Sequence, residues 1–176
     1  MKAAILAAAA LALTAPVARA QIATEGSQAP QRALSAADMA ALDKEFDAAV
    51  VAARASLPVF WGRLAENPDA RADFGLKVAF HNASGGVEQL WLHDVQKDGA
   101  RIVGRLNYDP QTLPNLHRTE LVPVREADIV DWSFKEGRKR YGEFTTRIIA
   151  KANPEDAAKT MAQLSDNPLP ADARGK

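Results

Sequence analysis

The side chains best suited to chemistry or ligand binding fall in the second half of the chain, in short segments where apolar and polar residues alternate. They are two acids, two tryptophans, an asparagine, a threonine and an arginine: Glu88, Trp91, Asn107, Asp131, Trp132, Thr145 and Arg147. A guanidinium beside a carboxylate and a tryptophan can form a rigid core bridge or a pocket for an anion. The bridge is the favoured interpretation, with both tryptophans in the core and Arg147 paired with Asp131 or Glu88. The candidate binding pocket lies near Trp91, Asn107 and Arg147.

Hydrolysis is the competing chemistry for the same acids. Glu88 or Asp131 could serve as a general base if it lay unpaired at the floor of a deep cleft beside a histidine. Glu88 and Asp94 share a strand face but lie on the order of 20 Å apart, too far for the paired carboxylates of a glycosidase. With no cysteine and no Gly-x-Ser-x-Gly motif, no nucleophile is indicated. We therefore predict no catalytic residue and favour a non-catalytic binding or interaction protein. A small inhibitor or immunity-type protein is the third possibility.

The three histidines do not indicate a metal site. A hairpin that turns near Ser84 pairs His81 with Val87 and His93 with Gly75, which places the two imidazoles on the order of 20 Å apart. One ion cannot bind both, and the chain has no cysteine to complete a site. We predict neither a metal nor a cofactor.

Four basic residues surround a predicted hairpin turn: Lys135, Arg138, Lys139 and Arg140. They could make a weak contact with an anionic surface, but basic side chains at a hairpin tip also discourage edge pairing of strands. A solvated tip is the favoured interpretation. The whole chain carries 22 basic and 22 acidic residues, and this balance argues against nucleic acid as a partner. The expected partner is an unknown protein or a small ligand of the cell envelope.

The first twenty residues have the three-part layout of a secretory signal peptide. Lys2 precedes an apolar run from Ala3 to Ala15, and the triplet Ala18-Arg19-Ala20 predicts cleavage between Ala20 and Gln21. The run of about 13 residues is shorter than the roughly 20 needed to cross a bilayer, and no other stretch is as apolar over that length. We expect a periplasmic or secreted protein with no stable membrane anchor, in which residues 21–34 form a flexible tether.

Helices are predicted at both ends of the remaining chain. Ser35 and Asp38 have the spacing of a capping box, and apolar residues follow at intervals of three and four. This stripe consists of Met39, Leu42, Phe46, Val50 and Ala53. We expect Pro58 to end the helix and a second short helix to run from Val59 to Ala65. Asn153-Pro154-Glu155 predicts the start of a C-terminal helix that runs to about Leu164.

Between the helices the apolar period changes from near 3.6 to 2, which indicates strands. The predicted strands are Phe74 to His81, Val87 to Asp94, Arg101 to Leu106, Glu120 to Val124, and a hairpin from Ile129 to Phe144. Turns centred on Asp98-Gly99 and Glu136-Gly137 would place Trp91 opposite Leu106 and Trp132 opposite Tyr141.

The order of these elements predicts an α+β fold. We expect an antiparallel, strongly twisted sheet of about five strands with an N-terminal amphipathic helix and a C-terminal helix. Residues 35–165 would form a single domain, and residues 166–176 a frayed tail.

A series of short motifs runs through the strand block in order. They are Lys77-Val78-Ala79-Phe80, Glu88-Gln89-Leu90-Trp91, Asp98-Gly99, Gly104-Arg105-Leu106-Asn107, Asp131-Trp132 and Phe144-Thr145-Thr146-Arg147. This series resembles the domain of unknown function 2314, the YegJ-like bacterial family, over roughly residues 74–150. The resemblance narrows the fold but brings no reaction, ligand or catalytic residue. The family often has a histidine where this chain has Gln89, and an asparagine closer to its proline than Asn107 is to Pro110, so the role of that loop stays open.

Overall fold

The computed structural model describes residues 35–152 and 154–174. The predicted signal peptide, residues 1–20, and the tether, residues 21–34, lie outside the described residues. The helices are α1 Ala36–Ala55, α2 Leu57–Glu66, α3 Phe144–Ala152 and α4 Pro154–Gln163. The strands are β1 Phe74–His81, β2 Val87–Asp98, β3 Arg101–Leu106, β4 Leu121–Val124, β5 Ile129–Glu136 and β6 Lys139–Gly142. The predicted α+β class is confirmed, with six strands in this part of the chain where about five were expected.

The first helix begins as the sequence predicts. The Ser35 hydroxyl accepts a hydrogen bond from the Asp38 N–H at 3.1 Å, and the Asp38 carboxylate accepts one from the Ser35 N–H at 3.2 Å. Each side chain thus satisfies a backbone amide that the first turn leaves free. Ala49 and Ala53 are buried, whereas Met39 is 48% exposed. The buried face of α1 therefore lies in its C-terminal half.

A short break at Ser56 separates α1 from α2. The Ser56 hydroxyl donates hydrogen bonds to the Ala52 and Ala53 carbonyl oxygens at 2.8 and 3.0 Å, which adds to the bonds that the Ser56 N–H makes in the last turn of α1. Pro58 lies in the first turn of α2, where its missing N–H removes no intrahelical hydrogen bond. Pro58 therefore helps to start α2, and α1 ends before it at Ala55.

The six strands form one antiparallel sheet in the order β4-β3-β2-β1-β5-β6. The β1–β2 hairpin has the predicted register, since His81 pairs with Val87 and Gly75 pairs with His93. β1 lies between β2 and β5 and is buried from Phe74 to Val78. It is therefore the strand through which the two halves of the sheet are connected.

The register of the β2–β3 hairpin differs from the prediction. Asp98 pairs with Arg101, so the loop is Gly99-Ala100 and the glycine, with φ +54°, takes the first loop position in place of the second. A bulge between His93 and Gln96 takes back half of the two-residue shift that the turn produces. As a result Leu92, and not Trp91, lies opposite Leu106.

The β5–β6 hairpin differs from the prediction for the same reason. Its loop is Gly137-Arg138, with Gly137 at φ +62°, because Glu136 pairs with Lys139. Phe134, and not Trp132, therefore lies opposite Tyr141. A turn displaced by one residue moves every cross-strand pair, which is why both predicted aromatic pairings were wrong.

The core lies between one face of the sheet and the first two helices. Phe60, Phe74 and Trp132 are at most 3% exposed, and the ring centroid of Phe60 lies 5.7 Å from that of Phe74 and 5.9 Å from that of Trp132. The Trp132 indole N–H donates a hydrogen bond to the Ala53 carbonyl oxygen at 2.9 Å. Full burial of a phenylalanine stabilises by about 1.5–3 kcal/mol. Trp132 is thus a core residue, which agrees with the favoured interpretation of its sequence context.

The chain leaves β6 as a helix and not as a longer strand. Gly142 and Glu143 both have positive φ, at +76° and +57°, and turn the backbone away from the sheet. The predicted hairpin to Phe144 therefore ends at Gly142, and α3 follows directly. Thr145 and Arg147, expected at the end of a strand, lie on the first two turns of this helix.

The segment 166–174 packs against the domain, although a frayed tail was expected from Asp166 onward. The Gly142 N–H donates a hydrogen bond to the Pro168 carbonyl oxygen at 2.8 Å, and Arg63 forms an ion pair with Asp172 at 2.8 Å. Leu169 packs against the hydrophobic core. The apolar and charged side chains of this short segment give it partners on both β6 and α2.

We expect Gly142→Ala to lower the free energy of unfolding by about 3 kcal/mol or more. An added methyl group would overlap the Trp132 carbonyl oxygen and lie 2.5 Å from Cε3 of the Trp132 ring. Urea denaturation provides the measurement. Gly137→Ala is the matched control, because its φ is +62° but no atom lies within 4 Å of the new methyl group, so the loss there should be about 1 kcal/mol. Equal losses in the two variants would contradict this account of Gly142.

Candidate functional site

The site is built around the carboxylate of Asp131 on β5, which is fully buried at 0% exposure. Its Oδ2 accepts hydrogen bonds from the Thr145 N–H and hydroxyl, both at 2.7 Å. Its Oδ1 accepts from the Phe144 N–H at 3.2 Å and the Trp132 N–H at 2.8 Å. Phe144 and Thr145 are the first two residues of α3, so Asp131 caps this helix from a neighbouring strand and lies at the positive end of its dipole.

Lys77 on β1 supplies the positive charge next to this carboxylate. It pairs with Asp131 across the β1–β5 ladder, is 7% exposed, and donates a hydrogen bond from Nζ to the Thr145 hydroxyl at 3.2 Å. The Thr145 hydroxyl therefore bridges the ammonium group and the carboxylate. The Nζ atom also lies 6.0 Å from the ring centroid of Trp91 and 5.8 Å from that of Phe46, distances typical of cation–π contacts.

Glu143 is the second acid of this region, half-buried and located directly before α3. Its Oε2 accepts a hydrogen bond from the Thr146 hydroxyl at 2.5 Å, and its N–H donates to the Trp132 carbonyl oxygen at 2.9 Å. Its left-handed backbone, at φ +57°, is uncommon for a residue other than glycine and stores strain. We refer to Lys77, Asp131, Glu143 and Thr145 as the polar cluster.

Burial shifts the protonation equilibria of the polar cluster. It raises the pKa of Asp131, which the hydrogen bonds from Thr145, Trp132 and Phe144 oppose. Burial also raises the pKa of Glu143, while the Thr146 hydroxyl and the charges of Arg140 and Lys77 oppose it. The pKa of Lys77 is lowered by burial against the attraction of both acids. The cluster is therefore a set of coupled charges in a poorly solvated place.

A cleft of about 370 Å³ opens next to the polar cluster. Gly75 on β1 pairs with His93 on one side and with Ser133 on the other, so these three residues share the face of the sheet that lines the cleft. The polar and aromatic side chains of its lining are Phe74, Trp91, His93, Asn107, Ser133, Arg140 and Glu143. We call this region the sheet cleft.

Two polar groups of the sheet cleft have distinct environments. The Arg140 guanidinium donates a hydrogen bond to the Ser133 hydroxyl at 2.9 Å, which fixes its position over β5. His93 Nδ1 is buried and has no hydrogen-bond partner among the residues that the structure describes. A buried polar atom without a partner costs free energy unless a ligand or water satisfies it.

Four of the seven residues singled out in the sequence come together here. Trp91 and Asn107 line the sheet cleft, and Asp131 and Thr145 belong to the polar cluster beside it. Trp132 lies in the core, and Glu88 and Arg147 lie elsewhere. Trp91 is half-buried at the cleft, so the expectation that it lies in the core does not hold.

Glu88 holds a loop in place. Its carboxylate accepts hydrogen bonds from the Gln111 N–H at 2.8 Å, the Thr112 N–H at 2.8 Å and the Thr112 hydroxyl at 2.7 Å. These bonds lower the pKa of Glu88, that from Gln111 most. Both carboxylate oxygens are thus engaged in fixing the segment between β3 and β4 to β2.

Arg147 pairs with neither of the acids expected for it. Its Nε donates to the Gly142 carbonyl oxygen at 3.2 Å and its Nη2 to the Ser165 hydroxyl at 3.5 Å, and no salt bridge joins it to Asp131 or Glu88. The prediction failed because residue 147 lies on a helix that the sequence pattern did not reveal. Lys77 is the cation beside Asp131, and the Thr145 hydroxyl bridges the two groups in place of a direct salt bridge.

Sequence reasoning missed Lys77, His93, Ser133, Arg140 and Glu143 as parts of one site. A lysine at an alternate position of a strand is typical of a solvent-facing side chain, whereas Lys77 is buried, with Thr145 of α3 and Phe46 of α1 beside its ammonium group. The correct β5–β6 register would have placed Arg140 near Ser133, but the predicted turn was displaced and gave another register.

The basic residues at the β5–β6 tip divide into two kinds. Lys139 donates from Nζ to the Leu164 carbonyl oxygen at 3.1 Å and the Ala162 carbonyl oxygen at 3.2 Å, and Arg140 is held by Ser133. Lys135 and Arg138 are exposed. Lys139 is exposed as well, so contact of this tip with an anionic surface, which stays a prediction, would involve three exposed basic residues.

The described residues contain no group of three or more histidine, cysteine, aspartate or glutamate side chains that could hold a metal ion. His81 and His93 lie at opposite ends of the β1–β2 hairpin, as their predicted pairing requires. The lining of the sheet cleft offers hydrogen bonding, ion pairing and aromatic contact.

The sequence comparisons now place the chain in a family. The family model described as "uncharacterized protein conserved in bacteria (DUF2314)" matches residues 43–165. The chain belongs to this bacterial family, as its motif series predicted. The match begins within α1 and ends after α4, so it extends beyond residues 74–150 on both sides.

Two curated proteins illustrate the relationship. The uncharacterized protein YegJ of Escherichia coli (strain K12) is 28% identical over 77 residues, which are 44% of this chain and 50% of that protein. A putative ankyrin repeat protein of Neisseria meningitidis serogroup B is 39% identical over 62 residues, which are 35% of this chain and 24% of that protein. The matches thus span half or less of either relative. No solved structure matches the chain significantly.

We expect Asp131→Asn to lower the free energy of unfolding by about 2 kcal/mol, because an amide cannot accept all four hydrogen bonds and Lys77 loses its counter-charge. Lys77→Met should cost a similar amount. The double variant should lose less unfolding free energy than the two single variants lose together, by at least about 1 kcal/mol, because it removes both buried charges at once. Urea denaturation of the four proteins measures this coupling.

Asp128→Asn provides the control for this cycle. Asp128 makes its ion pair with Arg125, whose side chain is 77% exposed, so this change should alter stability by less than about 0.5 kcal/mol. Additive effects of the Lys77 and Asp131 substitutions would contradict their assignment to one network.

Proposed function

We propose that this protein is an exported, non-catalytic binding protein of the bacterial envelope that takes a small polar ligand in the sheet cleft. The observation that carries the proposal is the meeting of Trp91, His93, Asn107, Arg140 and Glu143 around one cleft of about 370 Å³. Ligand sites in proteins have volumes of roughly 300–1,000 Å³ and combine apolar surface with a few convergent polar groups.

The lining groups are held in position before any ligand arrives. Ser133 fixes Arg140, and Thr146 fixes Glu143. Lys77 lies beside the ring of Trp91. Groups that are already ordered lose little conformational entropy on binding, which favours affinity. The elements that hold these side chains in position are β1, β5, β6 and α3. Asn107, in contrast, is exposed and lies at the edge of the cleft.

The geometry gives less support to a hydrolase with Glu88 or Asp131 as general base. Asp131 is fully buried, and each of its oxygens accepts two hydrogen bonds. Glu88 accepts three hydrogen bonds from one loop. A general base must reach the proton it removes, but both oxygens of Asp131 are fully used, and Glu88 has both of its oxygens bonded to one loop and does not line the sheet cleft. No specific contact favours the inhibitor or immunity-type alternative.

Export rests on the sequence of the first twenty residues. The described helices include none long and apolar enough to cross a membrane. We expect the protein recovered from the periplasmic fraction or the medium to begin at Gln21, because cleavage should follow Ala20. N-terminal sequencing measures this directly. Recovery of a chain that still begins at Met1 and stays with the cytoplasmic fraction would contradict export and leave the cleft proposal intact.

Ligand binding can be tested by nuclear magnetic resonance with a panel of amino acids, short peptides, sugars and organic acids. We expect at least one compound to shift the indole resonance of Trp91 and the amide resonances of Ser133 and Glu143. Trp91→Ala should weaken that binding at least about tenfold, since a tryptophan at the centre of an interface often contributes more than 1 kcal/mol.

Trp61→Ala is the matched control, because Trp61 lies on α2 against Lys97 and does not line the sheet cleft. Its binding affinity should stay within about twofold of the unmodified protein. If no compound of the panel shifts the cleft resonances, the proposed function fails.

A further inference from the structure

Two groups of opposite charge line the sheet cleft without pairing with each other. Arg140 and Glu143 both contribute to its wall, and the positive charge of Arg140 helps to keep the pKa of Glu143 from rising further. The salt bridges of the described residues include none between these two side chains. The cleft therefore holds a positive pole and a negative pole at separate positions.

Each pole keeps bonding capacity that the protein does not use. Arg140 has five N–H donors, and one of its terminal nitrogens donates to Ser133. Glu143 accepts the Thr146 hydroxyl at Oε2, and its Oε1 has no hydrogen-bond partner within residues 35–152 and 154–174. A guanidinium with free donors suits a carboxylate, and a carboxylate with a free oxygen suits an ammonium group.

The charges around the cleft balance. Lys77 and Asp131 offset each other through Thr145, and Arg140 and Glu143 form a second pair of opposite sign across the cleft. Arg147, which also attracts Glu143 and Asp131, has Asp166 as a third acid beside it. An anion or a cation would leave one pole without a partner in a poorly solvated place, which is costly. A ligand with both charges would satisfy both poles and leave the site neutral.

We propose that the ligand of the sheet cleft is a small zwitterion, an amino acid or short peptide, with its carboxylate on Arg140 and its ammonium group on Glu143. Its remaining atoms would lie against Trp91, and His93 Nδ1 would meet a polar atom of the ligand. This inference rests on the proposed binding function and specifies its ligand class.

The test compares ligands that differ by one charge on the unmodified protein. The zwitterionic probes are L-alanine and alanyl-alanine. N-acetyl-L-alanine lacks the ammonium group and L-alaninamide lacks the carboxylate. Glucose serves as an uncharged compound of another class. We expect one or both zwitterions to shift the resonances of Trp91, Ser133 and Glu143 and to bind at least about tenfold more tightly than either blocked form. Equal affinities for zwitterion and blocked forms would overturn the proposal.

Charge variants assign each end of the ligand. The quantity to compare is the ratio of the affinity for the zwitterion to the affinity for each blocked form. Arg140→Gln should bring the ratio to L-alaninamide close to one. Glu143→Gln should bring the ratio to N-acetyl-L-alanine close to one. Arg138→Gln and Glu136→Gln, which change exposed residues of the same hairpin outside the sheet cleft, should leave both ratios unchanged. If Arg140→Gln and Glu143→Gln leave the ratios unchanged in folded protein, the assignment is wrong.

The outcomes separate this inference from the proposed function. If glucose or another uncharged compound shifts the cleft resonances and the zwitterions do not, the ligand class is wrong and a binding cleft remains. If no compound of either kind shifts these resonances, both proposals fail.

Discussion

A buried carboxylate at the start of a helix is the constraint on which the rest of this structure depends. Asp131 lies on β5, yet its oxygens accept the first two N–H groups of α3 together with the Thr145 hydroxyl. The helix dipole and these donors offset part of the cost of removing a negative charge from water. Because α1 packs on α3, the position of this one side chain also sets how the N-terminal helix meets the sheet.

The same junction brings the second acid to the sheet cleft. The chain can reach α3 from β6 only through two residues of positive φ, Gly142 and Glu143. Glycine adopts this conformation easily, whereas for glutamate it costs of order 1–3 kcal/mol. The contacts of Gly142 with Trp132 and Pro168 hold the reversal in place, and Glu143 is thereby held at the wall of the cleft.

The parts of the fold that could be predicted from sequence are those set by local chemistry. The capping box of Ser35 and the pairing of β1 with β2 depend on neighbouring residues and were confirmed. The α+β class and the family followed from the order of the elements and the motif series. The two displaced turns show the limit, since one residue of error in a loop changes every pairing beyond it.

The candidate site could be predicted only in part, for a physical reason. Trp91, Asn107, Asp131 and Thr145 were identified by residue type and do meet around one region. Arg147 was predicted to pair with Asp131 because of its charge alone. The cation beside Asp131 is Lys77, which pairs with it across the β1–β5 ladder and reaches it through the Thr145 hydroxyl. Nothing in the local pattern at residue 77 distinguishes a buried lysine from an exposed one.

A purely structural role is a poor explanation for this concentration of charge. Replacing a buried ion pair by apolar residues of similar volume is often neutral or stabilising, so stability alone does not favour two acids and two bases around one cleft. Lys77 and Asp131 have a structural use, since they position α3. Arg140 and Glu143 do not pair with each other, and each retains unused bonding capacity at the cleft wall. His93 Nδ1, on the same cleft, is buried without a hydrogen-bond partner among the described residues, and a ligand that engages it would recover the free energy that such an atom costs.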